Sequence, residues 1–417
     1  MIISVKNVII AGTDLKNSRE SFSLMMEETK SLCEACGMNV TGEIVQKSRS
    51  MDPSTAFRKG KLEELRLMCG ELGADGIVFH NALSVQTANR IASVCGVEVI
   101  DRTAVILNIF SRRARSRQAR LQTEMARLQY DLPRILSDRD SAGHERGGAA
   151  YNRGAGEMRS SLTARKYEAR IAVLRKELAK IDQRAGQDER RRAKTLFRRA
   201  ALIGYTNAGK SSLMNCLLEI SGRSGTRVEE KDMLFATLDT SVRKITVQGR
   251  SFLLSDTVGF VSDLPHSLIE AFHATLRAAA EADLLIHVID FSDPEWQTKA
   301  EITEQTLTDI GAEGIPVLRV FNKCDLVKGK KADGMMISCR TGYGIKELTV
   351  EIIDRLYPEE DSVLCRISYD RMGVAEKYFS LLKSTILEQN ENGMVVRFCG
   401  PEDLVRSAGT EMERTEK

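Results

Sequence analysis

The feature that most constrains the fold is the glycine-rich segment GYTNAGKSS, which lies between an apolar run and a helical pattern. The run ALIG precedes it, and leucines recur at helical spacing after it. Gly204 and Gly209, followed by Lys210 and Ser211, give the Gly-x-x-x-x-Gly-Lys-Ser spacing of a phosphate-binding loop. The sequence therefore predicts a strand–loop–helix unit in an α/β domain, and it predicts that this unit binds a nucleoside phosphate.

Each residue type in this loop has a predicted role. The glycines let backbone N–H groups surround the β-phosphate, and the N-terminus of the following helix adds a favourable dipole. Lys210 is expected to reach the β- and γ-phosphates, and the Ser211 hydroxyl is expected to bind Mg²⁺. The predicted phosphate-binding residues are Gly204, Tyr205, Thr206, Asn207, Ala208, Gly209, Lys210 and Ser211.

The segment VFNKCDL predicts selectivity for guanine. The Asp325 carboxylate can accept hydrogen bonds from guanine N1 and the amino group, and adenine lacks those donors on the corresponding edge. Asn322 and Lys323 are expected to hold the loop and the base. In the later segment ISCRTGYG, backbone groups are expected to approach the guanine. The predicted base-binding residues are Asn322, Lys323, Cys324, Asp325, Ser338, Cys339 and Arg340.

Two further segments predict the Mg²⁺ and γ-phosphate contacts. In LLSDTVGF, Asp256 is expected to hold Mg²⁺ through water, and the Gly259 amide is expected to meet the γ-phosphate. In MLFATLDTSVRKI, Thr237 is the candidate that completes the Mg²⁺ shell. The predicted catalytic residues are thus Lys210, Thr237 and Gly259, and the metal ligands are Ser211 and Thr237. The other residues expected at the nucleotide are Phe235, Ala236, Leu238, Asp239, Thr257 and Val258.

Phe260 occupies the position at which many GTPases carry a glutamine that orients the attacking water. Its side chain has no hydrogen-bonding group, so the water must be positioned by another group. We expect slow hydrolysis by the isolated chain and stimulation by a partner.

Composition and charge limit the remaining classes of function. The net charge is only +3, so any preference for nucleic acid must come from local charge. No apolar run approaches the roughly 20 residues of a membrane span. The N-terminus has no small-residue cleavage site, and we expect a cytoplasmic, monomeric protein without a DNA partner.

The chain divides into four predicted regions, which together make a multidomain α/β fold. Residues 1–110 alternate β-branched runs with helical patterns, which predicts a small parallel α/β domain. Residues 111–198 form a basic helical linker with a Gly-rich loop at 142–157. Residues 199–358 are predicted to form the P-loop GTPase domain. Residues 359–417 are predicted to form a small α+β domain with a strand, a helix and a second strand, and its last, polar residues are expected to be frayed.

The linker is the most basic part of the chain. It carries about 24 Arg and Lys against about 11 Asp and Glu, an excess that suits contact with a phosphate backbone. The alternative interpretation is a solvated helix face with local ion pairs.

These motifs resemble the HflX family of GTPases. The matching segments are GYTNAGKSSLMN, FATLDTSVRKI, LSDTVGFVSDLPHSLIEAFHATL, FNKCDL and, in the linker, RARSRQARLQTEMARLQYDLPRI. The linker departs from the family pattern LExDRR, because Ser160, Ser161 and Leu162 stand where acidic residues are expected.

The resemblance implies a ribosome-associated GTPase that uses Mg²⁺. GTP and GDP, the large ribosomal subunit and ribosomal RNA are the implied partners, and splitting of stalled or idle ribosomes is the implied activity. Asn207 resembles the asparagine of potassium-activated GTPases, so K⁺ is a second candidate cation. The alternative is a GTP-gated module that binds another RNA or a protein and does not act on ribosomes.

Overall fold

The computed structural model describes residues 5–15, 21–142, 150–192, 197–222, 241–247, 249–257, 259–260, 279–327, 329 and 332–414. The chain divides into two compact units, with the division near Arg184. Among the described residues, no helix has both the length and the apolar character needed to cross a bilayer.

The first unit begins with a four-stranded sheet, as the alternating pattern predicts. All strand pairs are parallel, and the strand order is β2-β1-β3-β4. Helices connect successive strands, as in other parallel α/β domains. The elements are β1 (Asn7–Leu15), α1 (Phe22–Ala35), β2 (Asn39–Ser48), α2 (Lys59–Leu72), β3 (Gly76–Phe79), α3 (Val85–Cys95) and β4 (Glu98–Asp101).

Three helices complete this unit: α4 (Arg102–Arg113), α5 (Arg117–Ala142) and α6 (Ala150–Arg192). Helix α4 was absent from the sequence prediction. Its N-cap residue is Asp101, whose side chain accepts a hydrogen bond from the Ala104 N–H. Most residues of the helix are buried. The predicted loop at 142–157 is also partly wrong, because residues from 150 onward are helical.

Helix α5 is fastened to the end of the parallel sheet by polar contacts. The Tyr130 hydroxyl donates to Asp101 Oδ1 at 2.7 Å, and the Arg134 guanidinium lies 4.2 Å from the centre of the Tyr130 ring. Arg102 and Glu28 form a buried ion pair at 2.6 Å nearby. The basic linker and the sheet therefore pack as one unit.

The second unit contains a six-stranded sheet with the order β10-β9-β8-β5-β7-β6, in which only β6 is antiparallel to its neighbour. Its elements are β5 (Arg199–Ile203), α7 (Lys210–Ile220), β6 (Ser241–Val247), β7 (Arg250–Asp256), β8 (Leu284–Asp290), α8 (Trp296–Asp309), β9 (Val317–Asn322), β10 (Met335–Met336) and α9 (Ile345–Leu356).

The last part of this unit is an antiparallel sheet with the order β12-β13-β11-β14. Its elements are β11 (Asp361–Ser368), α10 (Met372–Phe379), β12 (Lys383–Asn390), β13 (Gly393–Gly400), α11 (Glu402–Glu411) and β14 (Glu413–Arg414). The sequence pattern predicts one helix over 373–389, which is wrong after Phe379, and it does not predict α11. The missed hairpin is marked by Asn392-Gly393, whose backbone N–H groups donate to Asn390 Oδ1.

One hydrophobic core runs from the six-stranded sheet into this antiparallel sheet. Tyr357 lies between them and is 1% exposed. Its hydroxyl donates to the Ser251 carbonyl at 2.7 Å and accepts the Arg198 N–H at 3.1 Å. Since Arg198 precedes β5 and Ser251 lies near the start of β7, the contact lies at the amino ends of the parallel strands.

Replacing Tyr357 with Phe should lower the free energy of unfolding by about 1–3 kcal/mol, because it leaves a buried carbonyl and a buried N–H unpaired. Urea unfolding measures this loss. Tyr369→Phe is the matched control, since the Tyr369 hydroxyl bonds the Asn390 carbonyl on an exposed residue. Equal losses in the two variants would contradict a special role for Tyr357.

His287 is a buried polar residue in the middle of β8. It is 1% exposed, and its Nδ1 has no hydrogen-bond partner among the described residues. Burial lowers the pKa of His287 to about 4, and the positive charges of Arg319 and Lys210 act in the same direction. The folded protein therefore holds this imidazole neutral.

The unfolded chain binds a proton at His287 below pH 6.5, whereas the folded chain does so only below about 4. The contribution of neutral His287 to the free energy of unfolding is thus lost as the pH falls from 6.5 to about 4. Between pH 7 and pH 5 the wild type should lose about 2 kcal/mol more unfolding free energy than His287→Leu. Denaturant titration at both pH values measures the difference, and parallel losses would contradict the assigned pKa.

Candidate nucleotide-binding site

The predicted phosphate-binding loop lies at the carboxyl end of β5, in the central part of the sheet. Parallel strands bring their carboxyl ends to one edge, where ligands of open α/β sheets commonly bind. Gly204 and Gly209 adopt φ values of 141° and 95°, and Asn207 adopts 62°. Asn is among the few residues other than glycine that accept this conformation readily. Lys210 is the first residue of α7.

Asn322 joins three of the predicted segments. It is the last residue of β9 and is 2% exposed. Its Nδ2 donates to the Ala208 carbonyl at 2.9 Å, and its Oδ1 accepts the Cys339 N–H at 3.1 Å. A Cβ on Gly209 would overlap Asn322 Nδ2, so a side chain there would push the phosphate loop away. The loop, the NKCD segment and the 338–340 segment are therefore fixed to one another.

The predicted base-binding residues lie beside Asn322. Lys323 adopts a φ of 61°, and its Nζ lies 2.7 Å from Asp290 Oδ2. Asp325 lies 3.5 Å from Arg340 Nε. The Cys324 N–H donates to the Ile337 carbonyl at 3.2 Å. Ser338 is buried, and its Oγ accepts the Thr341 N–H at 3.2 Å.

Asp290 is a site residue that the sequence reasoning missed. It ends β8, and its Oδ1 accepts hydrogen bonds from the backbone and the hydroxyl of Ser292 while its Oδ2 holds Lys323. Its position at the end of an apolar run, in VIDFSD, was the available signal.

Lys210 lies at the phosphate end of the site. Its Nζ donates to the carbonyls of Gly204 and Tyr205 at 2.9 Å and 2.8 Å. Burial lowers the pKa of Lys210 to about 8, and the nearby Asp256 carboxylate partly opposes this shift. The ammonium is therefore still mostly charged at neutral pH, as binding of a phosphate anion requires.

Two of the residues predicted to hold Mg²⁺, Ser211 and Asp256, are in contact. The Ser211 hydroxyl donates to Asp256 Oδ2 at 3.0 Å, and Asp256 is fully buried. A hydroxyl and a carboxylate beside a phosphate loop form an oxygen-donor set that Mg²⁺ prefers, so these residues fit this cation. The Thr257 hydroxyl donates to the Leu202 carbonyl at 2.6 Å, a bond that fixes the end of β7 to β5.

Gly259 and Phe260 lie against the phosphate loop. The Thr206 N–H donates to the Phe260 carbonyl at 2.8 Å, and the Phe260 N–H donates to the Gly204 carbonyl at 3.2 Å. A Cβ on Gly259 would lie 2.9 Å from Thr206 Cα and 3.0 Å from Lys210 Nζ. Glycine thus permits this close approach, and the Phe260 side chain is 1% exposed.

Several predicted residues fall outside the described part of the chain. They are Phe235, Ala236, Thr237, Leu238, Asp239 and Val258.

Three family models match consecutive stretches of the chain between residues 23 and 323. The family described as "GTP-binding GTPase N-terminal" matches residues 23–111, and "GTP-binding GTPase Middle Region" matches residues 113–192. The family described as "50S ribosome-binding GTPase" matches residues 199–323.

Individual relatives are similar over most of the chain. GTPase HflX of Caldanaerobacter subterraneus is 35% identical and covers 83% of this chain and 80% of its own. GTPase HflX of Alkalihalophilus pseudofirmus is 35% identical, with coverages of 91% and 86%. GTPase HflX of Akkermansia muciniphila is 41% identical, with coverages of 73% and 70%. With these identities over more than two thirds of its length, the chain belongs to the HflX family of GTPases.

Proposed function

We propose that this GTPase binds guanine nucleotides at the edge of the six-stranded sheet and uses the bound state to control association with the large ribosomal subunit. The observation that carries the nucleotide site is the pair of Asn322 hydrogen bonds to Ala208 and Cys339. Through them, a phosphate on the loop and a base beside Asp325 would be held at a fixed separation.

At the phosphates, Lys210 would exchange its two carbonyl partners for phosphate oxygens. Ser211 and Asp256 would hold Mg²⁺, together with Thr237, and the Gly259 amide would meet the γ-phosphate. Mg²⁺ supplies charge neutralisation between the phosphates when it is bound.

Asn207 is exposed, with its backbone already in the loop conformation, so a K⁺ ion at its side chain would add further positive charge. Turnover compared in K⁺ and Na⁺ buffers tests that assignment.

Asp325 is proposed to select the base. Its carboxylate lies beside Arg340, whose side chain is 79% exposed and can move aside. The guanine N1 and amino groups would then donate to Asp325.

Replacing Asp325 with Asn should weaken binding of GDP and improve binding of xanthosine diphosphate, because an amide can donate to the C2 carbonyl of xanthine. Competition binding with both nucleotides measures the change. Asp354→Asn, on the exposed face of α9, is the control and should keep the wild-type preference for guanine. An unchanged preference in Asp325→Asn would remove Asp325 from the base site.

The ribosomal partner is proposed from the family description and from the linker charges. Several arginines of α5 are already engaged, for example Arg127 with Asp131 and Arg134 with Asp101. Exposed cations of α6 have no ion-pair partner among the described residues, and they are Arg165, Lys166, Arg175, Lys176 and Lys180. These side chains are available for phosphates of ribosomal RNA.

Association with large ribosomal subunits should depend on the nucleotide and on these charges. Sedimentation with ribosomes should recover the chain with a non-hydrolysable GTP analogue and not with GDP. Replacing Arg175 and Lys176 with Glu should weaken binding and should lower the slope of log affinity against log salt by about 0.7–0.9 per lost contact.

The control replaces Arg366 and Arg397 with Glu on the exposed side of the antiparallel sheet, where the salt slope should not change. No association in either nucleotide state would favour a GTP-gated module for another RNA or a protein. Under the ribosomal proposal, the chain acts in the cytoplasm as a monomer. Its GTP-bound form binds the large ribosomal subunit, and this binding leads to splitting of the two subunits.

A further inference from the structure

The carboxylate that is proposed to select guanine has a cation beside it. Arg340 Nε lies 3.5 Å from Asp325 Oδ2, which is close enough for an ion pair. The two side chains differ in their exposure, because that of Asp325 is 16% exposed and that of Arg340 is 79% exposed. The guanidinium can therefore approach or leave the carboxylate through solvent, at little cost in buried contacts.

Backbone hydrogen bonds hold the two residues next to each other. Cys324, which precedes Asp325, donates its N–H to the Ile337 carbonyl at 3.2 Å. The residue before Arg340 donates its N–H to the side-chain oxygen of Asn322 at 3.1 Å. The backbone thus keeps the cation beside the carboxylate, and only the arginine side chain needs to move when another group binds there.

Guanine and Arg340 make the same demand on Asp325. The guanine N1 and amino groups donate hydrogen bonds to the carboxylate, and the guanidinium is a donor to the same oxygens. A carboxylate that faces a guanidinium is also partly neutralised, which weakens its charge-assisted bonds to the base. Both effects oppose binding of the base, and both act on the part of the nucleotide that GDP and GTP share.

We propose that Arg340 competes with guanine for Asp325 and thereby sets the affinity and the release rate of the nucleotide. The inference rests on the proposed base site and gives a role to a side chain of that site. When the base leaves, Arg340 pairs with the carboxylate again, which stabilises the chain without nucleotide relative to the complex. Affinity differences between related complexes lie mostly in the dissociation rate, so the competition speeds release of GDP.

The test replaces Arg340 with Gln in the full chain and measures binding and release of ribose-labelled fluorescent GDP. Arg340→Gln should bind GDP about two- to fivefold more tightly and should release it more slowly by a similar factor, the scale set by exposed ion pairs. The affinity for a non-hydrolysable GTP analogue should rise by the same factor, because the competition is confined to the base.

Arg355→Gln is the matched control, since it removes the same charge from another ion pair on the surface. Arg355 pairs with Glu351 on α9 at 2.6 Å, and its Nη1 donates to the Val317 carbonyl at 3.4 Å. Val317 is the first residue of β9, at the edge opposite the nucleotide site. This variant should bind and release GDP as the wild type does.

The decisive measurement uses Asp325→Asn, which lacks the carboxylate. In this background, Arg340→Gln should leave the affinity for xanthosine diphosphate unchanged within about twofold, because the arginine no longer has a carboxylate to compete for. An equal gain of affinity in both backgrounds would overturn the proposal, since the gain would not pass through Asp325. Equal or weaker GDP binding by Arg340→Gln alone would also overturn it.

Failure of the base site gives a different result. If Asp325→Asn keeps the wild-type preference for guanine, Asp325 does not contact the base, and the competition is excluded together with that site. If Asp325→Asn switches to xanthine while Arg340→Gln gains no affinity for GDP, the base site stands and only the role of Arg340 is wrong.

Discussion

The Asn322 side chain is the interaction on which the nucleotide site depends. It is held at the end of β9 by the sheet, and from there it bonds Ala208 in the phosphate loop and Cys339 in the segment after β10. Three loops that would otherwise move separately are thereby fixed by one buried amide. A buried amide with both ends satisfied is stable in one orientation only, so the phosphate loop and the segments after β9 and β10 keep a fixed separation.

The two edges of the parallel sheet have different structural roles. The carboxyl edge carries the phosphate loop, Asp256 and Asn322. The amino edge is covered by the antiparallel sheet, with Tyr357 bonding Ser251 and the Arg198 backbone. The continuous apolar core makes this sheet a stabilising part of the GTPase unit. Its contacts lie away from the nucleotide edge, so they can support the site without blocking it.

Charge burial distinguishes the phosphate end of the site from the base end. Lys210 and Asp256 are both buried, and the pKa of His287 is lowered by its own burial and, to a lesser extent, by the charges of Arg319 and Lys210. The Lys210 ammonium donates to two carbonyls in these buried surroundings, and its desolvation lowers its pKa. A phosphate anion would offset that desolvation. The base end is more open, since Arg340 and Asp325 meet at a surface where solvent weakens their attraction.

The sequence alone determined the α/β class, the strand–helix alternation of residues 7–101 and the positions of the nucleotide motifs, because local periodicity and glycine spacing are properties of contiguous residues. It did not reveal α4, the β12–β13 hairpin or α11, because their assignment depends on burial against distant elements. The role of Asn322 as a bridge and the support of Lys323 by Asp290 were likewise decided by tertiary structure. Each depends on residues at least 17 positions apart in sequence coming within hydrogen-bonding distance, and no local pattern records that proximity.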